Sequence, residues 1–188
     1  AVSEDGGEKF EKLSRGPAVL FSNDVDPYST FAPYVMIDDG KWKMWYVSLI
    51  KWTEEKGTLK HFYNIRYAES KNGIDWKREG HVCIDFKNDF EYAIARPFVL
   101  KEDETYKMWY SYRESEDIKS YRIGYAESSD GMNWERMDDC IELDVSENGW
   151  DSEMIEYSFI YDFNGSRYML YNGNSFGKTG AGLAVLDE

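Results

Sequence analysis

Apolar residues alternate with polar ones along most of this chain, and the breaks in the alternation are turn chemistry. Tyr34-Val35-Met36-Ile37 runs into Asp38-Asp39-Gly40, after which Trp42, Met44 and Tyr46 fall on one face and Lys41, Lys43 and Trp45 on the other. A two-residue period on both sides of an Asp-Gly break predicts an antiparallel hairpin. The hairpin returns twice: Lys107-Met108-Trp109-Tyr110 repeats Lys43-Met44-Trp45-Tyr46, and Arg167-Tyr168-Met169-Leu170-Tyr171 is a third copy. Asp103-Glu104 closes the second copy and Asn164-Gly165 the third. A further strand follows each hairpin (residues 64–69, 121–127 and 182–185), and in the first two copies Asn72-Gly73 or Asp130-Gly131 turns into a strand opened by Trp76 or Trp134.

Trp45 and Trp109 lie 64 residues apart, Trp76 and Trp134 lie 58 apart, and Ala126 and Ala184 lie 58 apart. Four short antiparallel strands repeated at this period describe a blade of a β-propeller, lengthened by loops. No stretch sustains a helical period, so the fold expected is all-β. Ala1-Val2-Ser3-Glu4-Asp5-Gly6 aligns with Ala68-Glu69-Ser70-Lys71-Asn72-Gly73, which divides the chain into the end of a blade (1–22), two blades (23–88 and 89–149) and an incomplete last blade (150–188). About three blades form an arc, whereas closed propellers use four to eight. The expectation is the C-terminal part of a longer propeller, or copies that close a ring together. Either self-association or a missing N-terminal segment would then cover the open blade faces.

Composition narrows the partners. The aromatic share of 17% suits large flat residues packed between blades, and 36 acidic against 22 basic residues give a net charge of −14. Phosphate backbones need a positive surface, so a nucleic-acid groove is not expected. No apolar run has membrane length. Cys83 and Cys140 occupy nearly equivalent places in successive blades, too far apart for a disulfide, and are expected to be reduced, packed thiols. His61 and His81 are isolated from each other and from carboxylate runs, so neither a metal site nor a cofactor is expected. Localisation stays open.

The pattern Ser-x-Asp/Asn-Gly-x-x-Trp at Ser70 to Trp76 and Ser128 to Trp134, with a looser copy from Ser3 to Phe10, resembles the five-bladed propellers of glycoside hydrolases that include arabinanases, xylosidases, invertases and levansucrases. That resemblance spans essentially the whole chain and implies a central funnel lined by the innermost strand of each blade, with catalytic acids near the heads of those strands. The equivalent inner stretches are Phe31-Ala32-Pro33-Tyr34-Val35, Ala95-Arg96-Pro97-Phe98-Val99 and Glu156-Tyr157-Ser158-Phe159-Ile160.

Glu156 matches the strand that carries the general acid in arabinanase-like enzymes. Glycosidic cleavage needs a carboxylic acid of raised pKa to protonate the leaving oxygen and a second carboxylate across the bond. Glu91, Glu153 and Asp26, in loops entering inner strands, are candidates to supply carboxylates, each weighed against being an ordinary solvated acid. The chain departs from the family at Ala95-Arg96-Pro97, where invertases carry Arg-Asp-Pro. Arg96 in the funnel would either bind an anionic sugar or neutralise Glu91, Glu153 or Glu156. Trp52, Arg113, Asn172, Asn174 and Lys178 follow the second strands and are expected at the same rim, as a sugar-binding platform with amide and cationic donors. Gly173-Asn174-Ser175-Phe176-Gly177-Lys178-Thr179-Gly180 lacks Walker spacing and reads as a flexible turn. Two functions remain open: a carbohydrate-active enzyme (hydrolase, transferase or phosphorylase) whose catalytic set this chain alone lacks in part, or a non-catalytic glycan-binding or interaction propeller. Convergence of Glu156, Arg96 and one of Glu91 and Glu153 on a single funnel mouth is the expectation that separates a site from scattered acids.

Overall fold

A computed structural model describes residues 1–55, 57–114 and 121–186. The first repeat unit folds as β1 (Ser29–Asp38), β2 (Lys41–Glu55), β3 (Thr58–Ser70) and β4 (Trp76–Ile84), and the second as β5 (Ala93–Glu102), β6 (Thr105–Arg113), β7 (Tyr121–Ser128) and β8 (Glu135–Arg136). The third comprises β9 (Glu156–Phe163), β10 (Ser166–Asn172) and β11 (Ala181–Val185). Neighbouring strands within each unit are antiparallel, and a single parallel bridge from Tyr63 to Ala93 joins the first two units edge to edge. The architecture is an arc of β-propeller blades.

The turn residues explain the hairpins. Asp39 and Gly40 have φ of 48° and 71°, and Asn164 and Gly165 have 53° and 82°. Two successive positive φ values are what a two-residue hairpin turn needs to match strand twist, and Asp, Asn and Gly tolerate them best. The Ser-x-Asp/Asn-Gly-x-x-Trp turns are built alike: Ser70 Oγ accepts from the Asn72 and Gly73 amides, Asn72 Oδ1 from the Ile74 and Asp75 amides, and Trp76 Nε1 donates to Gly73 O at 3.0 Å. Ser128, Asp130, Gly131 and Trp134 reproduce every one of these bonds. In the N-terminal copy Ser3 and Asp5 accept from the Gly7, Glu8 and Lys9 amides.

Blades adhere through aromatic residues at equivalent positions. Tyr34, Phe98 and Phe159 head the same place in β1, β5 and β9, and their rings meet at 5.0 Å and then 5.1 Å. The three inner strands therefore lie side by side. Farther out, Trp45 of β2 is fully buried, donates its indole N–H to Gly131 O of the next blade's turn at 2.7 Å, and takes Trp134 edge-on at 6.1 Å. Aromatic pairs in these offset and edge-on geometries add about 0.5–1.5 kcal/mol each beyond the area they bury.

The thiols part company with the sequence reading. Cys83 is buried at the end of the nine-residue β4, but β8 lasts two residues before a 3₁₀ turn, Asp138–Cys140, carries Cys140 to the surface. Both are free. The stretch read as a flexible turn is also structured: Gly177 N donates to Gly173 O, while Ser175, Phe176 and Gly177 at φ of 56°, 62° and 83° make one left-handed turn. No helix among the described residues is long and apolar enough to cross a membrane.

Candidate functional site at the heads of the inner strands

Each inner strand carries the same backbone fault. The pairing of β1 with β2 slips between Phe31 and Tyr34, that of β5 with β6 between Ala95 and Phe98, and that of β9 with β10 opposite Leu170 and Asn172. At each slip a non-glycine residue is left-handed: Ala32 at φ 47°, Arg96 at 56° and Tyr157 at 58°. Such bulges re-aim side chains, and strained non-glycine residues of this kind cluster where function needs them.

Glu156 stands just before the kink in β9. It has no exposed surface, and neither carboxyl oxygen has a hydrogen-bond partner. Burial raises its pKa to about 7, against opposing pulls from Arg113 and from a contact with Tyr157. A carboxyl so placed holds its proton near neutrality and can deliver it. Tyr157 is fixed by donation of its amide to Ser111 Oγ of β6 at 2.9 Å, so the second blade sets the aim of the third.

The surroundings are aromatic and cationic. Arg113, at the end of β6, lies 4.2 Å from the Tyr121 ring centroid and 5.6 Å from that of Phe176, with its buried Nε unpaired. Arg96 is exposed, 5.6 Å from the Tyr157 ring. Tyr157 in turn meets Tyr121 at 5.9 Å and Phe176 at 6.4 Å. Tyr121 shares a hydroxyl hydrogen bond with Tyr63 of the first blade. His61 stacks on Tyr63 at 5.1 Å, Trp52 meets His61 edge-on at 5.5 Å, and Phe31 meets Tyr63 at 5.4 Å. Burial, then the charge of Arg113, lowers the His61 pKa. All three blades thus contribute to one cluster, which contains Glu156, Arg96, Arg113 and Trp52 from the sequence reading.

The other candidates sit differently. Asp26 is fully buried and accepts from Tyr46 Oη at 3.0 Å, Arg66 at 3.2 Å and Arg78 at 2.9 Å. Glu91, also buried, is held by both terminal nitrogens of Arg136 at 2.7 and 2.8 Å and by the Lys87 amide. Both carboxylates are thereby committed to arginines on their own blade's β3 or β4, or β8. Asn174 uses its amide internally, accepting from the Glu153 and Met154 amides and donating to Gly149 O. Glu153 is half-buried, and its contacts are through the backbone, where its carbonyl accepts from Arg122. Asn172 pairs in register with Glu156 and packs so closely on Gly177 that a Cβ there would lie 3.0 Å from its Cγ. Lys178 is exposed on the left-handed turn.

Tyr63, Tyr121, Tyr157, His61 and Phe176 were not among the residues singled out in the sequence. A signal for two of them existed: Tyr63 and Tyr121 are 58 residues apart, the repeat offset, so they are one position in successive blades. Among the described residues no cluster of three or more His, Cys, Asp or Glu side chains could hold a metal.

The same arc recurs in solved structures. A family 117 glycoside hydrolase, Zg3597 of Zobellia galactanivorans, superposes with a TM-score of 0.72 at 20% identity, over 90% of this chain and 56% of that one. The arc has the fold of the propeller glycoside hydrolases. A thermostable family-43 glycoside hydrolase gives 0.65 at 20% identity (84% and 54%), and the Bombyx mori GH32 β-fructofuranosidase BmSUC1 gives 0.63 at 16% (82% and 33%). In sequence the chain is 40% identical along its whole length to the uncharacterized protein Rv1502 of Mycobacterium tuberculosis, and spans 60% of that relative. No protein-family model matches.

Proposed function

We propose that the heads of the inner strands form a glycan site in which Glu156 is the proton donor. The observation that carries the reading is Glu156 itself: a carboxyl without exposure or hydrogen-bond partner, raised to about 7, at a strained strand head. Tyr157, Phe176 and Trp52 offer faces for pyranose or furanose rings, and Arg96 and Arg113 offer donors for hydroxyl or acidic groups. The proton would pass from Glu156 to the glycosidic oxygen as the bond to the anomeric carbon breaks, with Arg113 steadying the carboxylate left behind. A second carboxylate must oppose it, and the committed states of Asp26 and Glu91 leave Glu153 or residues beyond this chain for that task. The same commitment, with arginine at position 96, favours the alternative of a glycan-binding propeller without turnover.

Glu156→Gln keeps shape but has no proton to give. Turnover of aryl glycosides with poor leaving groups is expected to fall by roughly 10² to 10⁴, and that of activated ones far less. Undiminished turnover on poor leaving groups removes Glu156 as the acid. Absent turnover in wild type, with saturable glycan binding in calorimetry, moves the site to the binding reading.

A further inference from the structure

The first two blades share a device that the third has only in half. Asp26 takes Tyr46 Oη on one oxygen and Arg78, two residues after Trp76, as a buried ion-pair partner; Glu91 takes Arg136, two residues after Trp134. Asp151 holds the corresponding place in the third blade: it is 4% exposed, and its Oδ2 accepts from Tyr171 Oη at 3.2 Å as Asp26 Oδ2 does from Tyr46. Its Oδ1 is buried with no partner. A buried carboxylate oxygen without a donor is costly, and the repeats say which donor fits it.

A second observation points the same way. Trp134 fills a niche against Trp45 and Cys83, with the Gly131 carbonyl on the Trp45 indole. By the repeat offsets the matching niche in the next interface is bounded by Trp109 and Ile141, and there the structure has a cavity of about 540 Å³, also lined by Ile160, Met169 and Ala184. One interface holds the tryptophan of the following turn; the other holds a cavity where it would be.

We infer that the edge of β11, this cavity and Asp151 together form a docking site for one more β-strand, entered through a Gly-x-x-Trp turn and carrying an arginine two residues after the tryptophan. The occupant is a fourth strand of the last blade, contributed by polypeptide that follows β11 in the same chain. In both earlier blades the third strand leads directly through such a turn into the strand that pairs with it. A single strand in that register meets both needs, as Trp134 and Arg136 do one blade earlier.

The test uses a synthetic peptide copying residues 128–139, titrated into the protein calorimetrically, with β11 amide exchange followed alongside. Saturable binding with slowed exchange at Leu183 and Val185 is expected. Alanine in the peptide at the place of Trp134 or Arg136 should weaken binding at least tenfold, and Asp151→Asn in the protein should weaken the parent peptide while leaving the arginine-free one unchanged. To guard against an isolated strand too weak to read, residues 131–143 are also appended after Glu188. This extension is expected to raise the unfolding midpoint, and an Asp151→Asn background to remove most of the gain. An extension with no gain, or a gain indifferent to the arginine and to Asp151, overturns the proposal. So does a chain that pairs with a second copy through the β11 edge and excludes the peptide.

Discussion

Asp26 and Glu91 on one side and Glu156 on the other are buried carboxyl groups at the entrances to inner strands, yet they are treated in opposite ways. The first two are surrounded by arginines from the outer strands of their own blades, with short charge-assisted bonds. Glu156 sits among aromatic rings with both oxygens unpaired. The blade's outer layer uses its acids as cement, while the inner rim keeps one acid out of any ion pair and so leaves it free to exchange a proton. Burial alone does not mark a functional acid. Burial without a partner does.

Swapping charge for shape on each side can break this contrast. Glu91→Gln leaves Arg136 largely buried with Asp138 as its remaining ion-pair partner, and the loss is expected at about 3 kcal/mol in urea unfolding, the lower end for breaking a buried pair. A cost under about 1 kcal/mol would mean that the outer pairs are not structural. Glu156→Gln is expected to act in the other direction. Its folded pKa of about 7 lies above the unfolded value of 4.5, so the folded state binds more protons between those values and wild-type stability falls as pH rises through that window. The glutamine variant is free of that loss. It should match wild type at pH 4 and exceed it by about 3 kcal/mol at pH 8, because each pH step between the two values removes about 1.4 kcal/mol from wild type alone. Parallel pH profiles for the two proteins would show that Glu156 is satisfied after all. The smallest effect is expected from Tyr46→Phe, which deletes one of three donors to Asp26 and should cost about 1 kcal/mol.

Strands, hairpins and turns were legible in the sequence because each is set by residues within a few positions: Asp39-Gly40 and Asn164-Gly165 for the hairpins, Ser70 and Asn72 for the turn. The inner strands were legible from the repeat. What pairs with an acid was not. Asp26 meets Arg66 and Arg78, which lie 40 and 52 residues away, and nothing local distinguishes that aspartate from a solvated one. Cys140 was misread for a related cause, since equivalent sequence positions diverge once β8 ends early. Phe176 reaches Tyr157 only through a left-handed turn whose residues at 175 and 176 are not glycine, a conformation composition does not announce.

The kinks at Ala32, Arg96 and Tyr157 have a consequence for how such a molecule can diversify. A glycine at each would relax the backbone but present nothing, whereas the register slip enforces the bend whatever residue stands there. The bend is thus written in the pairing of the strands, and the letters at the bend are free. An alanine, an arginine and a tyrosine already occupy the three slots of this one chain. A lineage or a designer could exchange them one at a time to retune selectivity, with the hydrogen-bonded frame that aims them left as it is.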